Sequence, residues 1–192
     1  MGNERKPAEA EKRLHRCCFS GPAIDNLNFF ENPVSDWLQG QIQRALVDGY
    51  KTFLCGMRLG ADITAGHLVR EIREKDPSVH LICVEPWPGM SKDWAWIWKS
   101  PHDYLISNVA DYVKVISETW QKDVYRQTNE YMVDHCSRLI AYYDEKDENA
   151  DDTWEMIEYA VHQGIEIVTN RAELVQDYRD AIARPGKYGL PE

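Results

Sequence analysis

Short apolar runs alternate with helical periodicity along nearly the whole chain, and that alternation limits the fold more than any other feature. The runs are Arg16-Cys17-Cys18-Phe19-Ser20, Phe53-Leu54-Cys55, Val79 to Val84, Tyr112 to Ile116, Arg138 to Tyr143 and Ile165 to Thr169. Each is short and ends at turn residues, as strands covered on both faces do. Between them lie amphipathic stretches. A strand, a helix and a further strand of the same sheet pack only as parallel strands joined by crossovers, so helices must cover both faces. The expected architecture is therefore α/β, a three-layer sandwich with a mainly parallel sheet.

Local signals set the boundaries. Asn32-Pro33 reads as a cap and first helical residue, opening a helix with Val34, Trp37, Leu38, Ile42, Ala45 and Leu46 inward. Asp62 stands at a second helix start, followed by Ala65, Leu68, Val69 and Ile72. The tryptophans Trp94, Trp96 and Trp98 mark a short helix or lid. A helix from Lys122 to His135 is expected to turn Val124, Thr128, Tyr131 and His135 to one side. Asp152 with Glu155, and Asn170 with Glu173, resemble capping boxes for the last two helices. The expected organisation is a charged leader over residues 1–15, one domain over 16–184 and a tail over 185–192.

The formal net charge of −10 on 192 residues argues against nucleic acid or an anionic membrane as the main partner. The five cysteines Cys17, Cys18, Cys55, Cys83 and Cys136 form no Cys-x-x-Cys pair and sit mostly in apolar runs. Reduced, buried thiols are expected, with no disulfide framework and no metal site. The polar opening Met1 to Arg16 carries no apolar segment of a secretory leader, and no run is long enough to span a bilayer. A cytoplasmic protein is expected.

Ligands of parallel sheets bind beyond the carboxyl ends of the strands, so the loops there are the candidate site. Lys51 to Asp62 reads as strand, glycine turn and helix. Gly56 and Gly60 bracket the turn, and the N–H groups of Gly60, Ala61 and Asp62 are placed to receive a phosphate, with Arg58 adding charge-assisted hydrogen bonds. Asp62 has two readings, a plain helix cap or a ribose contact, since a carboxylate there competes with phosphate. Ser20-Gly21 after the first strand and Tyr143 to Thr153 after the fifth converge on the same edge. Arg126 and Asn129, three apart, share a helical face and together suit an anion and a hydroxyl or base edge. Glu85, ending the third strand, is a spare general base.

The order Cys17-Cys18-Phe19-Ser20-Gly21, Gly49-Tyr50-Lys51-Thr52-Phe53, Gly56-Met57-Arg58-Leu59-Gly60-Ala61-Asp62, Asn129-x-Tyr131-Met132-Val133-Asp134 and Leu139-Ile140-Ala141-Tyr142-Tyr143-Asp144 resembles the DUF1273 or YpsA-like family. That family belongs to the SLOG superfamily, with the DprA-type and LOG-type proteins. The resemblance covers most of residues 16–168. It implies a Rossmann-like domain binding a nucleotide or nucleotide-derived ligand, ADP-ribose-like, with no assigned cofactor and no assured catalysis. Self-association into a homo-oligomer is compatible with it. LOG-type relatives cleave a nucleotide N-glycosidic bond with a Pro-Gly-Gly-x-Gly-Thr loop, which this chain lacks. Two departures stand out. Gly21-Pro22-Ala23 replaces the family's Gly-His-Arg, and Ala150-Asp151-Asp152-Thr153 replaces its Gly-Gly-Thr, keeping only Thr153. Three functions follow as expectations: a binding module for a nucleotide-like ligand; a hydrolase or transferase at an N-glycosidic bond, with Glu85 or Asp152 as its carboxylate; or an interaction protein with a degenerate pocket.

Overall fold

The computed structural model describes residues 8–23, 33–148 and 150–183. Its elements run α1 (Glu9–Arg13), β1 (Arg16–Ser20), α2 (Pro33–Val47), β2 (Thr52–Cys55), α3 (Ala61–Arg73), β3 (His80–Glu85), α4 (Trp96–Tyr104), β4 (Tyr112–Val115), α5 (Val124–Asp134), β5 (Arg138–Ala141), α6 (Ala150–His162), β6 (Glu166–Thr169) and α7 (Ala172–Ala183). The expected cap Asn32 and the tail over 185–192 lie outside the described residues. Pro33 does open α2.

The six strands form one sheet in the order β4-β3-β2-β1-β5-β6, and every pairing is parallel. The fold is the Rossmann-like α/β sandwich. The order reverses at β1. From β1 the chain steps outward through β2 and β3 to β4, then α5 carries it back across to β5 on the other flank of β1. Loops leaving β1 and β5 diverge there and leave a crevice at the strands' carboxyl ends.

Alternate strand residues feed two cores, because successive side chains point to opposite faces. Cys17, Phe19, Phe53, Cys55, Leu81 and Cys83 pack under α2 and α3, against Leu38, Ile42, Ala65 and Val69. Cys18, Leu54, Val84, Leu139 and Ala141 pack under α5, α6 and α7, against Met132, Val133, Met156, Ile157, Ala160 and Val175. Phe19 and Phe53 stack at 5.8 Å in the first core. All five cysteines are free and buried.

The amino ends of the strands are tied by Arg138. Its guanidinium reaches Asp48 at 2.7 Å and Glu166 at 2.8 Å, and lies 4.4 Å from the Tyr50 ring centre. In the same region Arg13 of α1 donates to the Cys136 carbonyl at 2.7 Å.

Several expected details resolve differently. α4 continues into a π-helical turn, Leu105–Val109, just past Pro101, whose missing N–H removes one regular helical bond. α6 begins at Ala150, so Asp152 and Thr153 lie inside its first turn and not at a cap. Asn170 does not cap α7. Its side chain clamps the Tyr143 backbone instead, accepting from the Tyr143 N–H at 2.7 Å and donating to its carbonyl at 3.0 Å. On α5 the buried residues are Val124, Thr128, Asn129, Met132 and Val133, while Tyr131 and His135 stack on each other, half-buried, at 3.9 Å.

Phe53 sits in the middle of the sheet, fully buried and stacked. Its truncation leaves a cavity that flat strands cannot collapse around. Phe53→Ala should lower the unfolding free energy by about 3–5 kcal/mol in urea titrations, and a loss below about 1 kcal/mol would contradict this packing.

Candidate functional site

The crevice is built from three chain segments that meet beyond β1. Ser20, the last residue of β1, is fully buried and faces the α6 side. Its hydroxyl donates to Thr153 Oγ1 at 3.4 Å. Gly21 follows, and the Pro22 carbonyl then accepts the Ala61 N–H at 3.0 Å. The first residue of α3 is thus hydrogen-bonded to the loop after β1, and this N–H, one of the three expected to receive a phosphate, is used by the chain itself. Gly60 makes the junction work. It adopts φ +117°, and a Cβ there would lie 2.3 Å from the Pro22 oxygen. No L side chain fits that conformation or that gap.

Asp62, in the first turn of α3, is only 2% exposed. Its Oδ2 accepts from the Arg58 backbone N–H at 3.3 Å and from Arg58 Nε at 3.4 Å. Its Oδ1 is buried without a hydrogen-bond partner among the described residues. Gly56 leaves the space the carboxylate occupies, since a Cβ there would stand 2.7 Å from Oδ2. Burial pushes the Asp62 carboxyl up from its ordinary value, and the Arg58 charge and hydrogen bonds oppose that shift. Met57, fully buried, is held at φ 60° in the same turn, a conformation rare for a bulky side chain.

Arg58 joins the three segments. Besides Asp62, its guanidinium reaches Asp152 Oδ2 at 3.4 Å and donates to Ser20 Oγ at 3.5 Å. These are long contacts, at the edge of hydrogen-bond geometry. One cation faces two carboxylates, and the side chain is only 11% exposed. Asn129 of α5 closes the side of the site, donating to the Asp152 carbonyl at 3.5 Å, with its own oxygen buried and without a partner among the described residues. Tyr125, one turn earlier on α5, feels the charges of Arg58 and Asp152, although burial is the main cause that raises its phenol above the ordinary value. The Trp87 ring meets it edge-on at 5.6 Å. The first turn of α6 opens beside Thr153, and N–H groups in a first turn have no intrahelical acceptor.

Of the residues expected from sequence, Ser20, Gly21, Gly56, Arg58, Gly60, Ala61, Asp62, Asn129 and Thr153 come together here. Tyr143 lies on the adjoining loop, tilted against Trp154 at 5.4 Å. Two others lie elsewhere. Arg126 is half-exposed and paired with Glu130 at 2.7 Å and Asp123 at 3.1 Å, on the rim of a cavity of about 300 Å³ between α5, α6 and α7 that Asn129 also lines. Glu85, 8% exposed, lines a different cavity beside α4. Tyr125 was the residue sequence reasoning passed over. Its signal was its four-residue spacing from Asn129, which puts both on one helical face.

The Asp62 shift has a pH signature. Above the ordinary carboxylate range and up to the raised folded value, the native chain keeps a proton that the unfolded chain has lost, so stability falls as pH rises through that window. Asp62→Asn cannot ionise and lacks that slope. Urea unfolding from about pH 4 to about pH 7 should show the parent losing stability relative to Asp62→Asn. A parent that instead gains on the variant would mean that Arg58 outweighs burial.

Comparison with known proteins follows the same outline. A UPF0398 protein of Bacillus pumilus (strain SAFR-032) is 22% identical over 120 residues, 59% of this chain and 64% of its own length, so the chain spans less than two thirds of that relative. Among solved structures, DNA processing protein A from Helicobacter pylori, described with a single-stranded DNA binding mode, superposes with a TM-score of 0.57 at 14% identity, over 91% of this chain and 82% of its own. The Moco carrier protein of Chlamydomonas rheinhardtii superposes with a TM-score of 0.50 at 14% identity, over 88% and 86%. Likeness at these identities shows the shared fold. The family model described as the YspA SLOG family, YpsA, matches residues 31–169, and the chain belongs to that family.

Proposed function

We propose that this protein binds a nucleotide-like small molecule, of the ADP-ribose or mononucleotide class, in the crevice at the carboxyl ends of β1, β2 and β5. The observation that carries this reading is the Arg58 guanidinium, partly buried at the point where the strand order reverses and held by long contacts to Ser20, Asp62 and Asp152. A phosphate oxygen competes well for such a cation, because charge-assisted hydrogen bonds are stronger and shorter than these. The Thr153 hydroxyl and the first turn of α6 add neutral donors. Asp152 and Asn129 suit ribose hydroxyls, and Tyr125 with Trp87 suits the face of a base.

The reading keeps to one nucleotide unit. A chain of net charge −10 is poorly matched to a long polyanion, although single-stranded DNA is bound by the Helicobacter pylori neighbour. Membership of the SLOG family and the shared fold support binding of nucleotide-related chemistry in general. Among the described residues no helix is long and apolar enough to cross a membrane. Five buried free thiols fit a reducing compartment, and we place the protein in the cytoplasm. A second reading rests on Asp152, whose carboxylate is 43% exposed beside Arg58. In this reading Asp152 acts at an N-glycosidic bond, and released base in a nucleotide incubation distinguishes it from binding alone.

Calorimetry with ADP-ribose, AMP, NAD and a single-stranded oligonucleotide tests the proposal. At least one of the three small ligands should bind and the oligonucleotide should not bind more tightly. Arg58→Lys keeps the charge and loses the planar fork, and should weaken binding by about tenfold or more. Thr153→Val keeps the volume and loses the hydroxyl, and should weaken it by about two- to tenfold. Folded variants that titrate like the parent would place the ligand elsewhere.

A further inference from the structure

A second cavity, of about 400 Å³, opens beside α4 and shares no lining residue with the Arg58 cluster. Its volume is within the range of small-molecule sites. Its walls come from the end of β3, the turn after it, α4 and the π-helical turn. They carry Glu85, Ser91, Lys92, Lys99, His102 and Asp103, a density of charge that a cavity formed only by imperfect packing does not need.

The polar groups are organised. Asp103 Oδ1 accepts from Ser91 Oγ at 3.0 Å and lies 3.0 Å from His102 Nδ1. A carboxylate at Nδ1 holds the proton on that nitrogen, so Nε2 presents a lone pair. His102 is 1% exposed, and its Nε2 has no hydrogen-bond partner among the described residues. The Trp94 ring meets the imidazole edge-on at 5.1 Å and fixes its plane. Burial pushes the imidazole down from its ordinary value, against the pull of Asp103, so it stays neutral near pH 7. Glu85 is likewise buried and its carboxyl is pushed up by burial, against a hydrogen bond from the Gly89 N–H. The cavity therefore combines His102 Nε2, without a partner among the described residues, and the Glu85 carboxyl, held by the Gly89 N–H, with two ammonium groups, Lys92 and Lys99.

We infer that this cavity is a second ligand site, for a small phosphorylated polyol or sugar phosphate. Its dianionic phosphate lies between Lys92 and Lys99, and its hydroxyls donate to Glu85 and His102 Nε2. Lys92 and Lys99 offset the carboxylates Glu85 and Asp103, so a bound phosphate needs both ammonium groups, and two acceptors call for two donors where the hydrogen phosphate dianion carries one. No bond is made or broken in this binding.

Ribose 5-phosphate, ribose and inorganic phosphate, each titrated into the full chain with ¹⁵N imidazole resonances recorded, test the inference. Ribose 5-phosphate should saturate at millimolar concentration and shift the His102 Nε2 resonance, whereas ribose and phosphate should bind at least tenfold more weakly. The double variant Lys92→Gln with Lys99→Gln, on the surface side of the cavity, should weaken ribose 5-phosphate at least tenfold. Glu85→Gln should weaken it less. Arg58→Lys should leave the His102 shift on ribose 5-phosphate unchanged, which separates this site from the proposed nucleotide crevice. No saturation, an unmoved His102 resonance, or loss of binding with Arg58→Lys and not with the lysine variant would each overturn the inference.

Discussion

Burying the Asp62 carboxylate is the constraint on which the arrangement at the carboxyl edge depends. A carboxylate almost wholly removed from water is costly unless a cation and hydrogen-bond donors accompany it. Arg58 supplies both, through its backbone N–H and its guanidinium. That requirement draws the arginine inward from a loop where it would otherwise extend into solvent. Once there, it also reaches Ser20 on β1 and Asp152 on α6. A single long side chain thereby links the three segments that bound the crevice. The glycines at 56 and 60 are the steric conditions for this, one leaving room for the carboxylate and the other for the Pro22 carbonyl.

The sheet explains why this cluster stands where it does. Six parallel strands with the order reversed at β1 open one crevice at the carboxyl edge. Ser20 ends the strand at that reversal, and Thr153 lies in the first turn of the helix that follows β5. The opposite edge is tied by Arg138 to Asp48 and Glu166. The two edges use the same chemistry differently. Arg138 is held by contacts of 2.7 and 2.8 Å that suit a structural tie, whereas the contacts of Arg58, at 3.4 and 3.5 Å, leave its bonding capacity only partly used.

Much of the fold was legible in the sequence because apolar period and turn residues are local signals. All six strands lie within the apolar runs or a residue beyond them, and Pro33, Gly49 and Gly164 mark helix boundaries as their chemistry dictates. The glycine turn and its Arg58 and Asp62 were legible for the same reason. What was hidden depends on contacts between distant segments. Asn170 looks like a cap, yet its side chain is better satisfied by the Tyr143 backbone across the sheet edge. Arg126 is a different case: it lines one cavity with Asn129 as the spacing suggests, but Asp123 and Glu130, three and four residues away, engage it at the surface. The Ala61 N–H looks available from sequence, and only the approach of the Pro22 loop shows that it is used. The departures at Gly21-Pro22-Ala23 and Ala150-Asp151-Asp152-Thr153 also read differently in three dimensions. Pro22 contributes a carbonyl to the junction, and Asp152 contributes the second carboxylate facing Arg58.

In the proposed binding mode Arg58, released from its long contacts, grips the anionic part of a nucleotide-like ligand beside Ser20 and Thr153. A crystal structure of the full chain grown with ADP-ribose tests this most directly. A phosphate oxygen is expected within about 3 Å of the Arg58 guanidinium, with the ligand lying along the carboxyl ends of β1 and β5. Ligand density seated only in the groove between α5, α6 and α7, with the Arg58 contacts to Asp62 and Asp152 intact, would contradict it.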